Sequence, residues 1–313
     1  MSTPSYARLG SANTYDTALR NISQRQTALS GLQENLSSGK RVLRASDDPT
    51  SAAQAERALT RLSRIATDQR ALASQTNSIV LAENTLGEIT SALQSFRELV
   101  VSAGNGAFTQ KDRQTVALQL QGLRDQVFNL SNQKDTNGLP LFSALGSALA
   151  PFVASPPPAY TFDGLPGQAS SSEVGIPFAL DGDSAFMFDA SDGATPGVSS
   201  LFQALDKAIT DIASATTSAT ASVAVSEALG NIDIGANRVS AVRGQAGELL
   251  NRADRISDNQ EKRSIQVEGD RSRAEDLDMV KGISDFQNQQ TAYQAALQSY
   301  AQVQKLSLFN YIS

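Results

Sequence analysis

Ala58, Ile65, Leu72, Ile79, Leu86, Leu93 and Val100 stand seven residues apart, and Ala82, Ile89, Phe96 and Ala103 follow the last four by three positions. An apolar repeat sustained over this length describes an α-helix that lies against other helices along its whole course. The pattern predicts a helix from Pro49 to about Ala103, a rod of roughly 80 Å at the α-helical rise. Asp48 suits its N-cap and Pro49 its first helical position. A second seam pairs Val225 with Ala228, Ile232 with Gly235, Val239 with Val242, Ala246 with Leu249 and Ala253 with Ile256. It predicts a second rod from about Ser222 to Gly269.

Shorter helices fit between the rods. Thr109 and Asp112 form a capping-box pattern ahead of a stripe of Val116, Leu120, Leu123, Val127 and Leu130, and the turn residues of "DTNGLP" end it. "SSLFQALDKAITDIA" reads as another short helix. The expected fold is mainly α, with long antiparallel helical rods in a bundle and a small β-rich inserted domain. The insertion is marked by composition. Between Ser143 and Ser200 stand six acids, Asp163, Glu173, Asp181, Asp183, Asp189 and Asp192, with no Lys or Arg and with seven of the ten prolines. "IPFAL" and "AFMFDA" around "DGD" read as hairpin strands, and the charge suggests a solvated outer lobe. The resulting organisation is 1–45 with 274–313 as terminal helical segments, 46–142 with 200–273 as the rod domain, and 143–199 as the insertion.

Composition removes most chemistry. The chain has no Cys and no His, which excludes disulfides, thiolate and imidazole metal sites, and triads built on either residue. No paired carboxylates stand out, so no enzyme activity, metal or cofactor is expected. The net charge is -6, equal to that of the insertion, and the balanced remainder offers no basic face for nucleic acid. No apolar run approaches the length of a membrane span, and "MSTPSYARLGSANTY" lacks the charged and apolar regions of a conventional signal peptide.

The outer segments mirror one another. Tyr15, Ile22, Leu29 and Leu36 recur by sevens with Leu19 and Leu32 beside them, and Met279, Phe286, Tyr293 and Tyr300 do the same with Ile283, Leu297 and Val303. The two helices are expected to meet antiparallel. Gln26, Gln33, Gln289, Gln290 and Gln304 interrupt their stripes, and a gapped two-helix seam hardly offsets ordering costs of about 1–2 kcal/mol per residue. The last eight positions nevertheless crowd Leu306, Leu308, Phe309, Tyr311 and Ile312. Something outside the pair must complete this packing. A closed bundle, in which both stripes fold back on the rods of the same chain, is the alternative that periodicity leaves open.

"LSSGKRVLRASDDP" joins the first helix to the rod. Gly39 suits a helix C-cap; Lys40, Arg41 and Arg44 suit the negative end of the preceding helix; Asp47 and Asp48 suit the start of the next. The same string, with Gly39, Arg41, Asp47, Asp48 and Pro49, resembles the N-terminal signature of the bacterial flagellin superfamily. "LQSFRELVVSAGNGAFTQKDR" is similar to the flagellin segment that ends the rod. "NGLPLFSAL" and the terminal "SLFNYI" resemble the hook-filament junction branch of that superfamily, hook-associated protein 3, rather than filament flagellins.

This resemblance implies a structural subunit secreted through the flagellar type III system to the extracellular flagellum. There it would form a homo-oligomeric adaptor ring, with hook-associated protein 1 on the hook side and flagellin on the filament side. An export chaperone would bind the C-terminal helix, and the insertion would face outward. Tyr15, Leu19, Ile22, Leu29, Leu32, Leu36, Phe286, Tyr293, Leu297, Tyr300, Val303, Leu306, Leu308, Phe309, Tyr311 and Ile312 would then be assembly contacts, with no nucleic acid or membrane partner. Filament flagellin is the rival reading, and a cytoplasmic coiled-coil scaffold is a more distant one.

Overall fold

A computed structural model describes residues 6–146, 150–155, 159–189 and 191–312, with side chains described from residue 16 onward except at 303 and 305–312. In chain order the elements are α1 (Tyr6–Ser38), α2 (Pro49–Ala103), α3 (Gln110–Ser131), β1 (Phe152–Ala154), β2 (Tyr160–Phe162), α4 (Gly182–Phe186), α5 (Leu201–Ser214), α6 (Ser218–Glu275) and α7 (Met279–Ile312). They form two compact units, residues 65–262 and residues 1–64 with 263–313.

The larger unit is the bundle that the seven-residue repeats predict. Ile79, Ala82, Leu86, Ile89, Leu93, Phe96 and Val100 of α2 are buried together with Ile232, Val239, Val242, Ala246 and Ala253 of α6. The two helices run antiparallel: Arg97 pairs with Asp233 and Glu83 with Arg243, at 3.2 and 2.7 Å. Gly235 lets α5 approach, since a methyl there would lie 2.5 Å from Leu201 Cδ1. The Thr109–Asp112 capping box opens α3, and Val116, Leu120 and Val127 of its stripe are buried.

The second rod is longer than its apolar seam. It opens four residues earlier because the Thr217 hydroxyl accepts from Thr220 N at 3.2 Å. It continues past Gly269 because Arg271 pairs with both Glu268 and Glu275, three and four residues away, at 2.7 and 3.0 Å.

A buried cation closes one end of this bundle. Arg113 is 2% exposed, and its Nε and Nη1 donate to the carbonyls of Ala103 and Ala215 at 3.3 and 3.5 Å. Those carbonyls terminate α2 and α5, where the aligned peptide dipoles leave negative charge. The guanidinium therefore caps two helices at once.

The insertion departs from expectation in two ways. Among the described residues its sheet is one antiparallel pair, with Phe152 opposite Phe162 and Ala154 opposite Tyr160. Neither "IPFAL" nor the described part of "AFMFDA", residues 185–189, is a strand. Asp181 in "DGD" accepts from Asp183 N at 3.1 Å and caps the short α4 instead of turning a hairpin, while Pro177 has no N–H for a ladder. The insertion is also more than a solvated lobe. Phe152, Ile176, Leu180 and Phe186 belong to the same buried cluster as α2, α3, α5 and α6. Phe152 stands 5.1 to 5.3 Å from Phe162, Phe186 and Phe202, ring centre to ring centre. Polar contacts add to this. Asn132 exchanges hydrogen bonds with Phe152 N and O at 3.0 and 3.1 Å. Arg238 donates to Asp192 at 2.6 Å, and Tyr160 donates to Asp206 at 2.5 Å.

Candidate assembly interface

The smaller unit is built on a crossing of two chain segments, residues 39–48 and 274–278. Gly39 ends α1 with φ at 71°, left-handed backbone that favours glycine. Its carbonyl accepts from Leu277 N at 2.9 Å, and the Glu275 carbonyl accepts from Arg41 N and Val42 N at 2.7 and 3.3 Å. Lys40 pairs with the Glu275 carboxylate. Val42 and Ala274 are the buried apolar residues of the crossing.

The signature residues divide the local work differently from the sequence expectation. Asp48 alone caps α2, accepting from Thr50 N and Ser51 N at 3.2 and 3.1 Å, with Pro49 as first helical residue. Asp47 instead holds the loop, accepting from Leu43 N and Arg44 N at 3.2 and 2.8 Å. Arg41 serves the end of α6 rather than α1: its Nη2 donates to Ala274 O at 2.8 Å and to Ser51 at 3.1 Å. Its Nη1 meets Asp48 at 3.2 Å. Arg44 reaches back to Glu34 of α1 at 2.7 Å. The Ser51 hydroxyl and N–H, then the Arg41 guanidinium, hold the Asp48 carboxyl down to about 2.

From this crossing α1 and α7 run back along each other, antiparallel as expected. Leu36 near the end of α1 touches the start of α7, where a methyl on Gly282 would lie 3.1 Å from Leu36 Cδ2. The pair has no dry core. Among the described side chains of α1 and α7, Gly282 alone is buried. Ile22, Leu29, Leu32, Leu36, Phe286, Tyr293 and Tyr300 are half-buried, while Leu19 and Leu297 are 51% and 41% exposed. Tyr15, Val303, Leu306, Leu308, Phe309, Tyr311 and Ile312 lie in the helices, with side chains outside the described ones. Val280, 82% exposed, was not expected to matter because it falls off the seven-residue register. Glu275, Ala274 and Leu277, the partners of the signature, carried no periodic signal.

An uncovered apolar stripe on paired helices, joined to rods through a capped crossing, suits a subunit that is finished by other chains. Comparison with known proteins agrees. The profile of the bacterial flagellin N-terminal helical region matches residues 11–146, and that of the C-terminal helical region matches residues 229–312. Flagellar hook-associated protein 3 of Escherichia coli is 31% identical over 316 residues, spanning 96% of this chain and 98% of the relative. The chain belongs to the hook-associated protein 3 family of the flagellin superfamily. A flagellin of Bacillus subtilis is 27% identical over 91% of this chain and 92% of its own. The crystal structure of hook-associated protein 3 from Legionella pneumophila shares the fold at 16% identity, with a TM-score of 0.58 over 68% of this chain and 97% of that one. The two matched regions hold most of α1, all of α2 and α3, most of α6 and all of α7, so the crossing and nearly all of the terminal pair fall inside them.

Proposed function

We propose that the chain is the structural subunit of an adaptor ring between the flagellar hook and filament, exported through the flagellar type III system. The observation that carries this reading is the α1/α7 pair, 33 and 34 residues long, whose described apolar side chains find no dry cover in their own unit. Copies packed side by side would supply that cover, in segments 1–45 and 274–313, with the sixteen terminal-helix positions as contacts. Hook-associated protein 1 and flagellin are the proposed neighbours on either side, and an export chaperone is the proposed cover of α7 before secretion. The rods in 46–142 and 200–273 form the next layer, and 143–199 lies outermost.

Similarity to the Bacillus flagellin favours a second reading, in which the chain builds the filament itself. Deleting the gene separates them. The ring subunit predicts intact hooks, flagellin released unpolymerised into the medium, and loss of motility. Hooks bearing long normal filaments would overturn the junction role, and absence of all filament protein would support the second reading.

A further inference from the structure

Arg57, Arg61 and Arg64 stand at i, i+4 and i+7 on α2 and so share one face. On α6, Asp254, Asp258 and Glu261 repeat that spacing. All six are exposed, and none makes an ion pair or a side-chain hydrogen bond with a described residue. Elsewhere on the same two helices exposed Arg97, Arg243 and Arg255 pair with Asp233, Glu83 and Glu248. The acidic stripe points outward, because the buried positions beside it are Ala253, Ile256 and Gln260. The basic stripe is likewise turned from buried Ala55 and Ala58. Half-buried Asp68 bounds the basic stripe one turn on, and exposed Lys262 bounds the acidic one.

Like charges one turn apart repel along a helix. An opposite stripe of equal spacing relieves both sets together. We propose that the α2 stripe of one copy docks on the α6 stripe of a second copy, fixing the lateral register of neighbouring subunits. Two different, mutually complementary patches on one chain make a head-to-tail contact, which closes into a ring when the rotation permits. Charges of this kind set register and reject wrong partners more than they supply affinity. The inference rests on the ring reading above.

The chain has no cysteine, so introduced thiols report without background. A disulfide needs Cα atoms within about 7 Å, closer than an Arg–Asp pair holds its backbones, so a short bismaleimide is the suitable linker. In a strain lacking the native gene, Arg61→Cys and Asp258→Cys chains are co-expressed, and hook-filament preparations are treated with the linker. The expected product is a dimer at twice the 33.1 kDa of one chain, formed with both variants together and with neither alone. Incorporation of both variants without a dimer, or equal dimer from either alone, overturns the pairing.

If the cysteine variants are not incorporated, reversed charges decide. Arg57→Glu/Arg61→Glu/Arg64→Glu and Asp254→Lys/Asp258→Lys/Glu261→Lys are each expected to lower incorporation by about tenfold, and their mixture to restore it, since alternating copies regain opposite charges. Failure of the mixture to restore incorporation overturns the inference, and points to a different acidic or basic partner. Absence of the unmodified chain from the same preparations would instead overturn the ring reading itself.

Discussion

Single residues carry the strictest constraints. Gly182 opens α4 where a methyl would lie 2.4 Å from Phe142 O and 2.8 Å from Phe152 Cζ. The first obstacle is backbone, so the strain cannot be relieved by a side-chain rotation. Gly182→Ala is expected to cost about 1–3 kcal/mol and to lower the Tm by roughly 2–12 °C for a unit of this size. An unchanged melting curve would show that α4 does not press on β1 and the Phe142 turn. Asp48 makes a prediction about pH. Its carboxyl is held at about 2, below the ordinary 3.8. A depressed folded-state value means the contribution is complete above the ordinary value and is lost as pH falls from about 3.8 toward 2. Carboxyl-detected NMR titration of the folded chain should place the Asp48 midpoint near the lower figure. A midpoint near 3.8 would mean that neither Ser51 nor Arg41 holds the group. Of these residue roles, capping was legible from sequence because the donors of α2 lie within three residues of Asp48. The partner of Arg41 was not, because Ala274 lies 233 residues away.

At the scale of elements, the helices follow from periodicity and the insertion does not. The α2 boundaries are those that the seven-residue repeat and the Asp48–Pro49 start predict, and the α3 start coincides with its capping box. A long amphipathic repeat leaves few alternative folds. A short apolar run such as "IPFAL" has no such redundancy, and tertiary contacts decide it. There Ile176 N donates to Gln75 of α2 at 3.1 Å, while Arg252 and Gln260 of α6 donate to the carbonyls of Ser172 and Val174, each at 3.3 Å. Residues 172–176 thus strap α2 to α6, and Ile176 adds a third apolar party to their seam. Gly175 permits this approach, since a methyl there would lie 2.7 Å from Gln75 Oε1. The acidic composition suggests a solvated outer lobe, which the rods could do without. The core contradicts this, since replacing 147–193 by Gly and Ser removes Phe152, Tyr160, Ile176, Leu180 and Phe186. Each large apolar deletion costs about 2–5 kcal/mol, and the five together, about 10–25 kcal/mol, match or exceed the stability of a typical domain, about 5–15 kcal/mol. The shortened chain is expected to lose its cooperative thermal transition by circular dichroism. Retention of a cooperative transition within a few degrees of the parent would mean that the rods close on their own.

For the whole molecule, the decisive contrast lies in how the two units bury apolar surface. The larger has a continuous core of side chains shielded from water. The smaller covers its crossing at Val42, Ala55 and Ala58 and leaves the α1/α7 stripes half in solvent. Glutamines in those stripes made the weakness readable from sequence, while the identity of the missing cover is a proposal that family membership supports. Substitution separates a stripe that serves the monomer from one that serves the assembly. Leu19 of α1 and Leu297 of α7 are 51% and 41% exposed, so Leu19→Ser with Leu297→Ser removes little buried area from the single chain. Surface changes of this kind fall within about 0.5 kcal/mol, and the Tm of the purified chain should stay within the error of the measurement. In an assembly that dries the stripe, each lost apolar side chain forfeits about 1.5–3 kcal/mol per copy, repeated at every equivalent contact. Incorporation at the hook tip and motility should therefore fall sharply while secretion into the medium continues. A lowered monomer Tm with normal incorporation would reverse the assignment. The stripe would then be part of the subunit's own fold, and other surfaces would have to hold the copies together.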